Sequence, residues 1–281
     1  MMPTQAPDLG TEKLSRLGFS IARKGGRDLP VVLLHGFTGS RQGLDPLSEC
    51  LKDRPAISVD LPGHGQSVLP VDTDIYTMHG CAREVIQAVH AAGVERAHWF
   101  GYSMGGRVAL TAACHFPEAF ASIAVLGASP GIQDSHARAE RAREDEALAA
   151  RIEEWGISFF VEEWEAKPLF ATQKQHLNRE QSDRLRAERL HQDPHGLAAS
   201  LRGMGSGVMP FLSPDRLASI QVPALVLAGS LDSKFCAIGK SLAKSIPEAQ
   251  FSSIDSAGHA AHLERHEAVA ECLNHFFSAA E

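Results

Sequence analysis

The run Gly101-Tyr102-Ser103-Met104-Gly105-Gly106-Arg107 constrains this chain more than any other stretch, because an apolar, strand-like segment precedes it and a helical pattern, residues 107–115, follows. A serine at so tight a strand-to-helix turn needs glycines on both sides, since the neighbouring strand and helix leave no room for larger side chains. Such a turn pushes the Ser103 hydroxyl into a cleft. A Gly-x-Ser-x-Gly run also arises by chance in a chain with 24 glycines, so its meaning depends on what surrounds it.

The surroundings alternate strands with helices. Residues 29–34, Leu-Pro-Val-Val-Leu-Leu, read as a buried parallel strand that ends at His35-Gly36. Similar runs occupy 56–59 before Asp60, 97–100 before the serine turn, 122–126 before Gly127 and 224–227 before Gly229. Each leads into a turn or a helical segment. This order predicts an α/β fold with right-handed crossovers and a mostly parallel, doubly wound sheet, whose functional groups gather at the strands' carboxyl ends.

Between Ser135 and Leu201 the composition shifts to Ala, Glu, Arg and Trp with no strand-like run, which predicts a helical insertion acting as a lid. The expected division is a first core part at 1–131, a cap at 132–208 and a second core part at 209–281. Inside the insertion Ile157, Phe160, Val161 and Trp164 fall on one helix face, and Leu148, Ile152 and Trp155 on a second. Aromatic stripes at helical spacing ordinarily pack. Trp164, close to Pro168-Leu169-Phe170, is the one read as lining a pocket.

Length and charge narrow the function. At 281 residues the chain suits one large domain with an insertion, and a formal net charge of -7 leaves no basic stripe for a phosphate backbone, which argues against nucleic acid as a partner. The five cysteines, Cys50, Cys81, Cys114, Cys236 and Cys272, form no Cys-x-x-Cys pair and read as reduced packing residues. No basic-then-apolar leader opens the chain and no apolar run reaches the length of a membrane span, so a soluble, cytoplasmic protein is expected. No metal-ligand spacing stands out, and the glycine clusters belong to turns rather than to a phosphate cradle, so neither a metal nor another cofactor is expected.

A serine hydroxyl reacts only when a neighbour takes its proton, so the turn at Ser103 calls for an acid and a histidine further along the chain. Asp232 follows the strand at 224–228 through Gly229-Ser230-Leu231, and His259 lies in Gly258-His259-Ala260-Ala261-His262. The order Ser, Asp, His is that of α/β-hydrolase triads. The chain has 14 histidines, and His262 competes with His259, but His259 directly follows a glycine in the loop after the last expected strand, whereas His262 begins a helical pattern. Asp255 and Asp60 compete for the acid role, the first on the strand leading to His259 and the second in the separate loop Asp60-Leu-Pro-Gly-His-Gly65. Charge developing on an oxygen also needs fixed donors. The backbone N–H groups of Met104, after the serine, and of Phe37, in His35-Gly36-Phe37-Thr38-Gly39-Ser40, whose glycines are expected to let the backbone turn its N–H inward, are placed for that task.

From His35 to about Glu267 the chain resembles the 2-succinyl-6-hydroxy-2,4-cyclohexadiene-1-carboxylate synthases, pyruvate-eliminating lyases of menaquinone biosynthesis with the α/β-hydrolase fold. His35-Gly36, Asp60-Leu-Pro-Gly-His-Gly-Gln-Ser67 and the serine turn are common to α/β-hydrolases at large. More selective are Arg107 directly after Ser-Met-Gly-Gly, Ser129-Pro-Gly-Ile132 before an Arg-rich segment, and Trp164-Glu-Ala-Lys-Pro-Leu-Phe170. Gly203-Met-Gly-Ser-Gly207, Asp232-Ser-Lys-Phe235 and Gly258-His-Ala-Ala-His-Leu-Glu-Arg265 complete the match. The chain departs from the pattern at Ser230, where Glu is frequent, at Ser206, where Thr is common, and at His266, where Pro is frequent. None of these removes a reacting group.

The resemblance implies that His259, oriented by Asp232, deprotonates Ser103, which then takes a proton from a ring carbon so that the enolpyruvyl side chain leaves as pyruvate, without an acyl-enzyme. It also implies a small, carboxylate-rich substrate, for which arginines are the natural donors. Arg107, at the start of the helix after the serine, is the first candidate, and Arg189, ahead of Asp193-Pro-His-Gly-Leu197, the second. Arg138, Arg141 and Arg143 compete for a third place, of which Arg141 is preferred, although an Arg/Glu-rich helix also suits a solvated face. Tyr102 and Trp164 are expected to line the cavity. A serine hydrolase, either a carboxylesterase or an enzyme cleaving a carbon–carbon bond, is the alternative that the same triad supports. A catalytically silent binding protein is a third reading, and its usual sign would be a broken triad.

Overall fold

The computed structural model describes residues 21–24 (backbone only), 28–52, 54–67, 69 and 73–281. The N-terminal stretch read as lacking a targeting leader lies outside the described residues, as do residues 1–20 of the first core part. Among the described residues seven strands, β1 (Ile21–Lys24), β2 (Val31–Leu34), β3 (Ala56–Val59), β4 (Ala97–Tyr102), β5 (Phe120–Leu126), β6 (Ala224–Gly229) and β7 (Ala249–Ile254), form one sheet in the order β1-β3-β2-β4-β5-β6-β7. Every neighbouring pair is parallel except β1 with β3. The expected parallel sheet is therefore present, with an antiparallel edge strand, Ile-Ala-Arg-Lys, whose two charges hide it from any apolar pattern.

Helices α1 (Asp45–Glu49), α2 (Met78–Ala91) and α3 (Met104–His115) accompany the first strands. Helices α4 (Ser135–Glu165), α5 (Gln173–His176), α6 (Arg179–Leu190) and α7 (Pro194–Met204) lie between β5 and β6. The chain then runs through α8 (Pro214–Leu217), α9 (Ser233–Ser245), α10 (Ala261–Glu264) and α11 (His266–Ala279). No described helix is long and apolar enough to cross a membrane.

The sheet is covered on both faces, which explains why its strands read as unbroken apolar runs. Along β2 and β4, Val32, Leu34 and Trp99 join Val85, Val89 and Val108 of α2 and α3 in one core, while Val31, Leu33 and Phe100 join Leu47 of α1 and Leu273 and Phe277 of α11 in the other. Successive residues thus alternate between two cores, as the strand period of two requires. Each such side chain fully withdrawn from water stabilises the fold by about 1.5 to 3 kcal/mol.

Strand order reverses beside β2: β3 lies on one side of it and β4 on the other. Leu34 pairs with Gly101 across the β2–β4 boundary, so the loop that begins at His35 and the turn at Ser103 leave the sheet side by side. In open α/β sheets such a reversal leaves a crevice above the strands' carboxyl ends, and ligands bind there.

The helices between β5 and β6 share a core of their own, built from Leu148, Ile152, Phe160, Val161, Leu197 and Leu201. Gly156, at φ 80° and ψ 176°, breaks α4 into two segments. That break corrects the expected second face: Leu148 and Ile152 are buried, but Trp155 is 49% exposed and stacks edge-on against Phe159 with ring centroids 4.7 Å apart. The buried spacing fails at Trp155, the residue just before the break, and a buried stripe resumes beyond it at Phe160 and Val161.

Candidate active site

Ser103 sits at φ 50°, ψ −107°, a conformation that costs a non-glycine residue roughly 1 to 3 kcal/mol. Close packing holds it there. A Cβ on Gly101 would lie 2.4 Å from the Gly105 carbonyl oxygen, one on Gly105 2.4 Å from the Leu34 carbonyl oxygen, and one on Gly106 2.6 Å from the Ala128 methyl. The glycines are required by the approach of α3 to β2, β4 and the residues after β5.

Asp232 caps α9: its Oδ1 accepts the Phe235 N–H at 3.1 Å, which leaves Oδ2 to accept from His259 Nδ1 at 2.8 Å. With its proton on Nδ1, His259 turns an unprotonated Nε2 toward Ser103 Oγ, 3.2 Å away. The acid loop and the histidine loop are tied by Ser230 N–H to Ile254 O and Leu231 N–H to Ala257 O, both 2.9 Å. The three residues singled out in the sequence thus form one hydrogen-bonded chain. The competitors do not join it. His262 packs its ring against Tyr102, tilted by 40° with centroids 4.0 Å apart, and burial pushes its pKa down to about 3. Asp255 is exposed just past β7, and Asp60 accepts the N–H groups of Arg41 and Gln66 at 2.7 and 3.0 Å, binding two loops together.

The loop after β2 turns for a different reason from the one its glycines suggest. Its left-handed residue is Thr38, φ 69°, whereas Gly36 is needed because a Cβ would lie 2.7 Å from the Tyr102 ring. His35 fixes the loop from behind, donating from Nδ1 to Gly36 O at 2.8 Å and accepting the Leu61 N–H on Nε2 at 2.9 Å. Burial lowers its pKa to about 4. Phe37 and Met104 both border the cavity above Ser103, and among the described residues no hydrogen bond to either backbone N–H is formed.

That cavity measures about 690 Å³, and Tyr102, Arg107, Arg141, Trp164 and Arg189 all line it. Arg107 Nη1 donates to Met204 O at 2.9 Å, and burial followed by the nearby Arg141 lowers its pKa to about 10, so it remains charged at neutral pH. No carboxylate among the described residues comes within salt-bridge distance of it. Arg141 donates to Asp145 at 2.8 Å, and Arg189 is held by Glu165 at 3.1 Å and lies over the Phe170 ring. Arg138 and Arg143 stay outside the cavity, and Arg138 donates instead to Ile132 O at 3.0 Å. Trp164 meets Phe37 edge-on at 5.2 Å.

Sequence reasoning missed Arg151, Lys167, Lys234 and Glu188, which also line the cavity. Arg151 had a signal, since Arg141, Asp145, Leu148 and Arg151 recur at helical spacing on one face of α4. Glu188 had none, as it is one acid in a charged helix. Ser40 Oγ donates to it at 2.6 Å, and burial raises its pKa. Among the described residues no cluster of three or more His, Cys, Asp or Glu is placed to hold a metal, and the cysteines are unpaired.

Residues 30–266 match the α/β-hydrolase fold family. A Bacillus subtilis protein named putative 2-succinyl-6-hydroxy-2,4-cyclohexadiene-1-carboxylate synthase is 35% identical over 248 residues, which are 88% of this chain and 90% of its own. This chain belongs to that synthase family. The Salmonella typhimurium synthase of the same name is 34% identical over 248 residues, covering 86% of this chain and 91% of its own. Among solved structures, MenH from S. aureus superposes with a TM-score of 0.87 at 31% identity, over 92% of this chain and 98% of that one. A thermophilic esterase from Thermogutta terrifontis, solved with malate bound, reaches 0.82 at 25% identity, over 93% of this chain and 94% of its own. The fold is thus shared by synthases and esterases, and the chemistry has to be argued from the site.

Chemically, the arrangement offers a hydroxyl whose proton can pass to an imidazole, a carboxylate that stabilises the resulting imidazolium, and two amides beside the cavity for an oxyanion. Guanidinium groups above it suit carboxylates, because bidentate, charge-assisted bonds strengthen where water is scarce.

Proposed function

We propose that this protein eliminates pyruvate from 2-succinyl-5-enolpyruvyl-6-hydroxy-3-cyclohexene-1-carboxylate to give 2-succinyl-6-hydroxy-2,4-cyclohexadiene-1-carboxylate, a step of menaquinone biosynthesis. The observation that carries the reading is the pairing of a Ser103–His259–Asp232 chain with a cavity lined by Arg107, Arg141 and Arg189. A simple ester needs no such set of cations. A substrate bearing several carboxylates does.

In this reading His259 Nε2 takes the Ser103 proton, and the Ser103 oxygen removes the proton from the ring carbon bearing the succinyl group. That carbon is next to the succinyl ketone, so the electrons left behind spread onto an enolate oxygen, for which the Phe37 and Met104 N–H groups are the donors. They return through the ring double bond, form the conjugated diene and break the bond to the enolpyruvyl oxygen. The proton that His259 holds is given up to the leaving enolate, which becomes pyruvate. No water is consumed and no bond to Ser103 forms. Tyr102 and Trp164 shape the cavity walls, and the helices spanning residues 132–208 act as its cap. The substrate is a small molecule, and we place the enzyme in the cytoplasm, where five unpaired cysteines stay reduced.

The test is pyruvate release from the enolpyruvyl-cyclohexene precursor, run beside hydrolysis of an activated ester, for wild type and Ser103→Ala. Fast, Ser103-dependent pyruvate release with feeble ester turnover is the expected result. Ester turnover without pyruvate would make the protein a serine hydrolase instead.

A further inference from the structure

Glu264 is buried at the end of α10, its side chain fully shielded from solvent, and has no part in the chemistry above. Its carboxylate gathers partners from two places. Oε2 accepts the backbone N–H of Gly258 at 2.7 Å, and Gly258 is the residue before His259. Oε1 accepts the hydroxyl of Thr172 at 2.9 Å, and His176 Nδ1 lies 3.3 Å from Oε2; both residues belong to the stretch between β5 and β6. Thr172 also lies flat against the histidine loop, since a Cβ on Gly258 would come within 2.0 Å of its Oγ1.

The Gly258 N–H and the Ala257 carbonyl belong to one peptide plane. The carbonyl accepts the Leu231 N–H at 2.9 Å, one residue from Asp232, while the N–H is given to Glu264. That plane is therefore gripped at one end by the loop bearing the acid and at the other by a carboxylate that also holds the cap. Rotation of the plane would swing the His259 ring, whose Nε2 must stay near its 3.2 Å approach to Ser103. We infer that Glu264 is a positioning residue that couples docking of the cap, through Thr172, to the alignment of His259. The inference rests on reading Ser103, His259 and Asp232 as the reacting groups, and is independent of which substrate they act on.

The test reads the rate of Ser103 phosphonylation by a fluorophosphonate probe, which needs the serine and its base but none of the arginines, together with kcat and KM for pyruvate release. Variants are Glu264→Met, Glu264→Gln, Thr172→Val, Thr172→Ser and the Glu264→Met/Thr172→Val pair, each normalised to folded protein by circular dichroism. Glu264→Met is expected to slow labelling and kcat by roughly tenfold or more with KM nearly unchanged, and Thr172→Val by about threefold to tenfold. Glu264→Gln, which keeps an acceptor for Gly258, and Thr172→Ser, which keeps the hydroxyl, should recover most of the loss. The pair should be no slower than Glu264→Met alone. Folded Glu264→Met or Thr172→Val protein with a rate per site within about twofold of wild type would overturn the inference, as would full additivity in the pair. If Glu264→Met does not fold, the contrast between Thr172→Val and Thr172→Ser decides. Wild type that labels but releases no pyruvate would refute the substrate reading alone, and wild type that fails to label would refute the triad itself.

Discussion

Acid should destabilise this protein from pH values above the range in which carboxylates titrate, and three histidines set the size of the effect. Burial pushes His35 down to about 4, and His64 and His262 to about 3, from an ordinary value of 6.5. At pH 7 these groups are neutral in the folded chain and mostly neutral in the unfolded one, and they contribute little. Below pH 6.5 the unfolded chain binds protons that the native state refuses, so stability falls with falling pH. Each group contributes about 1.4 kcal/mol per pH unit, hence about 2 kcal/mol by pH 5 and about 6 kcal/mol for the three. Against a total of roughly 5 to 15 kcal/mol for a typical domain, that is enough to bring the chain close to unfolding. His98, also lowered chiefly by burial, acts in the same direction.

Urea unfolding followed by circular dichroism at about pH 7, 6 and 5 measures the slope, and His262→Phe isolates one term. Phenylalanine keeps a ring against Tyr102, whose centroid lies 4.0 Å from that of His262, but takes up no proton. The variant should therefore lose about 2 kcal/mol less than wild type between pH 7 and 5, whatever its stability at pH 7. A wild-type loss below about 2 kcal/mol, or equal losses in the two proteins, would refute the reasoning, because it would mean that these sites admit water or a counter-charge on protonation.

Other outcomes follow from single contacts. Arg107→Ala should raise KM roughly 10- to 150-fold and weaken product binding while kcat changes much less, since it removes a charge-assisted donor from the cavity; steady-state kinetics with product inhibition measures both. Asp232→Asn should keep the fold and lower turnover by about three to four powers of ten, because the amide no longer holds His259 with its proton on Nδ1. Gly105→Ala should destabilise by about 3 kcal/mol or leave little folded protein, as the new methyl meets the Leu34 carbonyl at 2.4 Å and backbone cannot step aside; thermal unfolding and soluble yield report it.

What could be read from the sequence was whatever had a local physical cause. Strands buried on both faces are written as apolar runs, so β2 to β6 were legible to within a few residues, while β1 was not, because an edge strand may carry Arg23 and Lys24 without harm. The serine turn was legible because its glycines answer a steric demand, and the steric demand is present at 2.4 Å on both sides. The glycines of the loop after β2 were read on a mistaken ground: Gly36 yields to the Tyr102 ring, and the left-handed turn falls on Thr38. Trp155 was misread since nothing in a period of 3.6 announces that the helix breaks at the very next residue, Gly156.

The site divides along the same line. Ser103, Asp232 and His259 each follow a strand in the order that the chemistry demands, and their meeting is a consequence of parallel topology, which delivers every strand's carboxyl end to one rim. The helices between β5 and β6 obey no such rule, for a helix can aim any of several arginines inward. Arg141, the preferred candidate, and its competitor Arg138 are three residues apart, and it is Asp145 that holds the first at the cavity at 2.8 Å while the Ile132 carbonyl draws the second away. Glu264 lay still deeper. It stands within a motif that pointed to His259, and only the fold brings Thr172, 92 residues away in sequence, to its carboxylate. The groups we propose to react are legible because strand ends place them, whereas those proposed to hold them in place are set by contacts between distant segments, and no local pattern records those.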